Sequence, residues 1–446
     1  MSTFSTHIHR ELSRLGPGLR KAIESISWLM VDRVVRLGMG LFVGVWVARY
    51  LGPTRYGSLN FAVALVSLFT SANTLGMDGI IVREVVGNPA STYEILGTAF
   101  TLRSVGGFLA AGTSIAVLFL IQPGDRQALL LVSIYSLTLI FQAFDTIDCF
   151  FQSQVQSKLT VWAKNSAFLV FAAIRVTLIW LKEPLWMFVA AMSGEAALGA
   201  AGLLLSYRMT GGKISRWRKS RERAIELLRQ SWPLIFSGLA IMIYMRLDTV
   251  MLKVMQGDFA VGLYSAATRV SEVWYFVPMA IVTSVSPAIM RVSDDPKLFY
   301  SRLRRLFSLM TVLAYSIGSI VALASRSIIH ILYSNSYLGA APVLAVHIWA
   351  SVFVFLGCAQ SPWDISMNQL KLSLYRTTAG AVINVVMNLY LIPRYSAMGA
   401  AIATVVSYAV SGVFANAFSA RTRPIFYMQM KSFIPQRFWT VKAAES

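Results

Sequence analysis

Six arginines, Arg33, Arg36, Arg103, Arg175, Arg246 and Arg269, fall inside runs of apolar sequence. In such a run a charge costs about 2.5–3.5 kcal/mol near the centre of a bilayer-spanning helix, so each needs an acid, a wet cavity or a ligand. A guanidinium is always charged and grips a phosphate or carboxylate through two parallel hydrogen bonds, so arginines placed this way suit an anionic ligand. The alternative is a structural ion pair, and spacing tests it residue by residue. Asp32 and Arg36 stand at i,i+4 and share one helix face, with Arg33 closer to the helix end. Arg103 has no acid within a turn of its own helix, and Asp145 and Asp148 are its expected partners. Arg175 is expected to snorkel outward past Trp180. Arg246 and Arg269 lie too deep for that, at similar depth on consecutive helices; Glu272 reaches Arg269 at i,i+3, whereas Asp248 faces away from Arg246. Arg36, Arg103, Arg246 and Arg269 are therefore the candidate ligand-binding residues.

Acids inside apolar runs carry the second kind of chemistry, the loading of a proton or cation. Asp78, Asp248, Glu272 and Asp364 are the candidates for ion coupling, and Glu195 is a further isolated acid; hydrogen-bonded structural carboxyls are the alternative for each. His330 and His347 are expected at the membrane interface. Cys149 and Cys358 read as core thiols with no metal-ligand spacing, so no metal and no cofactor is expected. The chain holds no Walker-type phosphate loop, no His-Glu-x-x-His and no Gly-x-Ser-x-Gly, which points away from an ATP-driven motor and the commonest hydrolases.

The elements that must position these residues follow from composition. Of the 446 residues, 56% are hydrophobic and 13% charged, which a soluble domain with a charged surface would not tolerate. The net charge of +20 is not a nucleic-acid footprint, because the basic residues sit in short segments between apolar runs rather than on one solvated face. Runs of crossing length predict an all-α, polytopic membrane protein with twelve transmembrane helices, with cores at 27–48, 57–82, 95–121, 127–149, 160–180, 185–207, 232–254, 262–290, 305–324, 342–366, 372–392 and 398–419.

Between these helices one set of alternate segments holds 27 of the 40 Lys and Arg residues and the other holds 7, which places both termini in the cytosol. A weak repeat divides the chain. Ser27-Trp28-Leu29 matches Ser231-Trp232-Pro233, and Gly57-x-Leu-x-x-Ala62 matches Gly262-x-Tyr-x-x-Ala267, at offsets of 204 and 205. The expected organisation is a cytosolic or interfacial lead-in (1–26), an N-terminal six-helix lobe (27–207), a basic cytosolic linker (208–231), a C-terminal six-helix lobe (232–420) and a cytosolic tail (421–446). An even number of helices per lobe makes this a parallel repeat, with a polar, arginine-bearing cleft.

Leu51-Gly52-Pro53 with Tyr56-Gly57, then Leu75-Gly76-Met77-Asp78-Gly79 and Val82-Arg83-Glu84, resemble the first hairpin of the polysaccharide transporter family of Wzx-type flippases. Val261-Gly262-Leu263-Tyr264-Ser265-Ala266-Ala267, Leu391-Ile392-Pro393-Arg394-Tyr395 and Met398-Gly399-Ala400-Ala401-Ile402-Ala403-Thr404 are similar to later segments of the same family. The resemblance implies a flippase moving an undecaprenyl-diphosphate-linked oligosaccharide from the cytosolic to the external leaflet of the inner (plasma) membrane by alternating access. It implies partners among membrane lipids and the polysaccharide polymerase and export machinery, and no nucleic acid. Two rivals stand beside it: a cation-coupled small-molecule exporter of the same superfamily, which would favour an acidic cleft, and a membrane glycan polymerase or glycosyltransferase, which would carry a long external loop that this sequence lacks.

Overall fold

The computed structural model describes residues 17–434, with side-chain surroundings described from Arg36 onward except at Leu37 and Leu370. Every regular element among these residues is helical. The first, α1 (Pro17–Ser67), is two helical arms joined at Gly52, whose φ of 70° and ψ of 170° only glycine adopts without a Cβ penalty. Pro53 follows and lacks the N–H that would continue the ladder, so the Gly-Pro pair between the expected cores 27–48 and 57–82 is the bend. Short helices α2 (Thr70–Thr74) and α3 (Asp78–Gly87) extend the second arm. Then come α4 (Thr92–Ile121), α5 (Arg126–Phe141), α6 (Asp145–Ser153), α7 (Ser157–Trp180) and α8 (Leu185–Met209). The side chain of Asp125 accepts from the Ala128 N–H and caps α5, satisfying one of the orphan donors at a helix start.

The second half begins with α9 (Arg221–Glu272), which bends at Gly257 with φ 81° and ψ −178°. Gly52 and Gly257 are 205 residues apart, the offset of the sequence repeat, and they adopt nearly the same backbone conformation. After it run α10 (Phe276–Met290), α11 (Pro296–Leu323), α12 (Ser325–Tyr333), α13 (Ala340–His347), α14 (Ala350–Ser366), α15 (Leu370–Gly412, turned at Ser396) and α16 (Arg423–Ser432).

Among the described residues, nine stretches are long and apolar enough to cross a membrane. Three of them, of 50, 70 and 48 residues, contain the breaks at Gly52, Gly257 and Ser396 and far exceed the roughly 20 residues of one crossing. Large apolar side chains such as Leu120, Trp180 and Leu323 are at least 80% exposed, as lipid-facing residues are. This is a multi-pass membrane protein.

Two compact units form. Unit 1 holds the described residues up to Tyr50 together with Leu65–Leu239, and unit 2 holds Leu51–Ala64 with the described residues from Ala240 onward. The core of unit 1 gathers Met77, just before α3, with Ile81, Ile95, Leu96, Ala99 and Leu227 from α3, α4 and α9. In unit 2, Phe299, Phe307, Met310, Phe355, Trp363 and Val413 pack together with Ile425 and Met428 of α16. So part of the segment expected as a tail, Arg423–Ser432, is a helix with one face in the core.

Within unit 2 the bends of α1 and α9 meet reciprocally. A Cβ on Gly57 would lie 1.8 Å from the Asp258 carbonyl oxygen, and one on Gly262 would lie 1.9 Å from that of Pro53. Both glycines of the repeat are thus required by a backbone approach that no side chain fits.

Candidate functional site

Unit 1 holds a cavity of about 290 Å³ lined by Arg36 of α1, Asp145 of α6, Lys164 and Arg175 of α7, and Glu195 of α8. The α7–α8 hairpin brings Arg175 onto Glu195, Nη2 to Oε2 2.6 Å, while Arg36 approaches the other carboxylate oxygen at 3.8 Å and lies 5.4 Å over the Phe168 ring. One carboxylate is shared by two guanidiniums. Arg175 does not snorkel outward as expected, because the acid on the adjacent helix holds it inward. The Asp32 side chain, expected to pair with Arg36, lies outside the described side chains.

The expected pairing of Arg103 with Asp145 or Asp148 is also corrected. Arg103, 1% exposed, donates to Asp78 at the start of α3 at 2.6 Å and contacts the buried thiol of Cys149 at 3.9 Å. Asp145 and Asp148 are occupied by Lys164, at 2.8 and 3.0 Å. Those acids are in the first turn of α6 and face α7, so depth alone did not identify the partner.

In unit 2, Asp248 of α9 is buried and accepts from the Tyr264 hydroxyl, from Thr404 of α15 at 3.3 Å and from the Thr249 N–H at 2.6 Å. Glu272, at the end of α9, lies within electrostatic range of Arg246, Asp248 and Arg269. Arg269 is accessible and has Tyr56 and Tyr333 around its guanidinium, and Arg246 is half-buried. The two arginines singled out by depth thus share an acidic neighbour in the fold.

Asp364 of α14 is not isolated. Arg376 of α15 reaches it at 2.6 Å and donates its other terminal nitrogen to Asn416 at 2.7 Å. Gln360 and Gln429 of α16 complete a buried network with Asn416. Arg376 counts among the loop cations in the sequence, yet it is only 9% exposed. His347, expected at the interface, is buried and hydrogen-bonded to Ser271 at 2.6 Å; His330 is exposed. Lys164 and Arg376 are the polar residues that sequence reasoning passed over. Each stands a turn or two inside the start of its helix and within the expected cores 160–180 and 372–392, so depth counted along the helix was the signal that could have found it.

A family model described as polysaccharide biosynthesis protein matches residues 22–293, more than half of the chain. Over 234 residues the chain is 27% identical to the probable flippase AglR of Haloferax volcanii, covering 51% of this chain and 48% of that one. The chain spans about half the length of the curated relatives it matches. Its fold is that of a lipid II flippase, MurJ, in an inward closed conformation, with a TM-score of 0.71 at 15% identity over 92% of this chain and 91% of the other. An inward-facing multidrug resistance transporter of the MATE family in the MOP superfamily follows at 0.65 and 15% identity, over 92% and 98%. With the matched family model covering the first hairpin, the bend at Gly52 and its counterpart at Gly257, this chain belongs to the polysaccharide biosynthesis protein family.

Proposed function

We propose that the protein is a flippase that carries a polyprenyl-diphosphate-linked oligosaccharide from the cytosolic to the external leaflet of the inner (plasma) membrane by alternating access, with both termini cytosolic and no chemistry on the substrate. The observation that carries this is the sharing of Glu195 between Arg36 and Arg175 on an accessible cavity. Two guanidiniums converging on one carboxylate at an accessible cavity gather N–H donors that an anion can take up in exchange for that carboxylate. The diphosphate supplies that anion and regains in the cavity part of the hydration it loses, while the prenyl tail stays in lipid.

Arg246 and Arg269 around Glu272 form the second station of this reading. Asp248, which accepts from Thr249, Tyr264 and Thr404, is the residue for ion coupling: loading it with a proton or cation removes a negative charge from beside Arg246 and so favours the anionic cargo. Asp78 and Asp364 each face a single arginine and act structurally, as does Arg103. An exporter of cationic compounds would want the opposite sign at these stations, and no enzymatic step is assigned.

The test is reconstitution of the protein with a fluorescent lipid-linked oligosaccharide. Arg246→Ala and Arg36→Ala should each reduce flipping at unchanged membrane abundance, with Lys rescuing only in part because a point charge loses the bidentate grip. Full activity of both variants at normal abundance would overturn the reading in favour of the exporter.

A further inference from the structure

We infer that unit 2 contains a binding site for a neutral pyranose ring, in the cavity walled by Tyr244, Tyr275 and Tyr408 beside the Arg246 and Arg269 cluster. The inference rests on the flippase reading and names the part of the substrate this cavity takes. The cavity measures about 350 Å³, within the range of small-ligand sites. Tyr244 and Tyr408 stack at 4.6 Å between ring centroids, Tyr275 leans on Tyr408 at 6.5 Å, and all three tyrosines line the cavity. Sugar rings present faces of C–H groups, and these dock on the electron-rich faces of aromatic side chains.

Charge selects a neutral ligand. The ionised residues lining the cavity, Asp364 and Arg376, neutralise each other at 2.6 Å, and Arg376 is further tied to Asn416, so neither offers a spare charge to an ion. Polarity selects a hydroxylated one. The buried Tyr275 hydroxyl has no hydrogen-bond partner in the protein, a cost of about 1–3 kcal/mol unless something in the cavity satisfies it. The Tyr244 hydroxyl is paired with Ser411 at 2.6 Å, and the Thr377 hydroxyl donates to a backbone carbonyl, so both keep acceptor capacity for sugar O–H groups.

Position connects this cavity to the phosphate station. Tyr275 and Tyr408 both lie within electrostatic range of Glu272, which is grouped with Arg246 and Arg269. A diphosphate held by those arginines carries its first sugar directly bonded to it, and the tyrosine cavity is the adjoining space of the right polarity.

The experiment is saturation-transfer NMR on the full chain in lipid nanodiscs free of glycoside detergent, with methyl glucoside, methyl N-acetylglucosaminide, methyl glucuronide and tetraphenylphosphonium as probes. The neutral glycosides should receive saturation at their ring protons. Tyr275→Phe should weaken their affinity about 3- to 10-fold, the worth of one neutral hydrogen bond. It should not lower thermal stability, since the hydroxyl it removes has no partner in the protein. Gly357→Leu should abolish binding by filling the cavity; a Cβ there meets only Gly412 Cα, at 3.9 Å, so the helix accepts it. Glycoside binding indifferent to Tyr275→Phe, or stronger binding of the glucuronide or the phosphonium at this cavity, would overturn the site. Wild-type flipping of lipid-linked glycan alongside such indifference would remove the site and leave the flippase reading intact. Glycoside binding lost in the variants, with no flipping by the wild type, would support the site and overturn the flippase reading.

Discussion

The cavity of unit 1 and the cavity of unit 2 both set arginines against carboxylates, but they pair them differently: by sharing in unit 1 and one to one in unit 2. In unit 1 Arg36 and Arg175 divide one carboxylate, Glu195, and Arg36 keeps about a third of its side-chain surface exposed. In unit 2 Arg376 and Asp364 form a closed pair, each about a tenth exposed or less, fixed by Asn416 and Gln360. The difference teaches that an intramembrane arginine does not mark a ligand site by being there. What matters is how many acids it has, how far water reaches it and whether its remaining N–H groups are already spent.

The comparison breaks first where a closed pair is opened. Asp364→Ala strands a buried guanidinium and should cost about 3–5 kcal/mol, read as loss of folded protein in detergent thermal unfolding. Arg376→Ala should cost a similar amount, because both partners are buried, and the double substitution Asp364→Leu with Arg376→Met should recover most of it. Recovery of flipping in that double variant would confirm a structural role; a stable but inactive double variant would move the pair into the transport machinery.

Arg103 and Asp78 sharpen the argument by asymmetry. Arg103 is 1% exposed at its side chain and Asp78 is 62% exposed. Asp78→Ala therefore leaves a buried charge without its carboxylate and should cost about 2–3 kcal/mol, as hydrogen bonds to charged groups do. Arg103→Met leaves an acid that water can reach and should cost less, about 1 kcal/mol. Equal unfolding midpoints for the two variants would show that exposure does not decide the cost.

The smallest effect on stability belongs to the open arrangement. Arg36→Ala leaves Glu195 paired with Arg175, so stability should change by under about 1 kcal/mol while flipping falls. Arg175→Ala removes the shorter contact and should lower stability more than Arg36→Ala does, with Arg36 expected to close on Glu195. Reversal of that order in thermal unfolding would mean that Arg36 is the structural partner.

A helical membrane protein, the breaks between its helices and the repeated glycines were all legible in the residues alone. Apolar run length is set by bilayer thickness, and a Gly-Pro pair limits its own backbone wherever it stands, so both are local properties. Gly57 and Gly262 were legible as a repeat for the same reason, although that they approach the carbonyls of Asp258 and Pro53 is visible only in the fold. Glu272 as an acid near Arg269 was legible too, because i,i+3 spacing is a local property. Partner identity between helices was not. Arg103 took Asp78 rather than Asp145 or Asp148, Arg175 took Glu195, and Asp364 found Arg376, because pairing depends on which helix faces touch and on which competitor, such as Lys164, lies against the same acid. Those contacts join residues 12 to 25 positions apart across helix packing that periodicity does not encode, so the acid each arginine meets is a property of the fold.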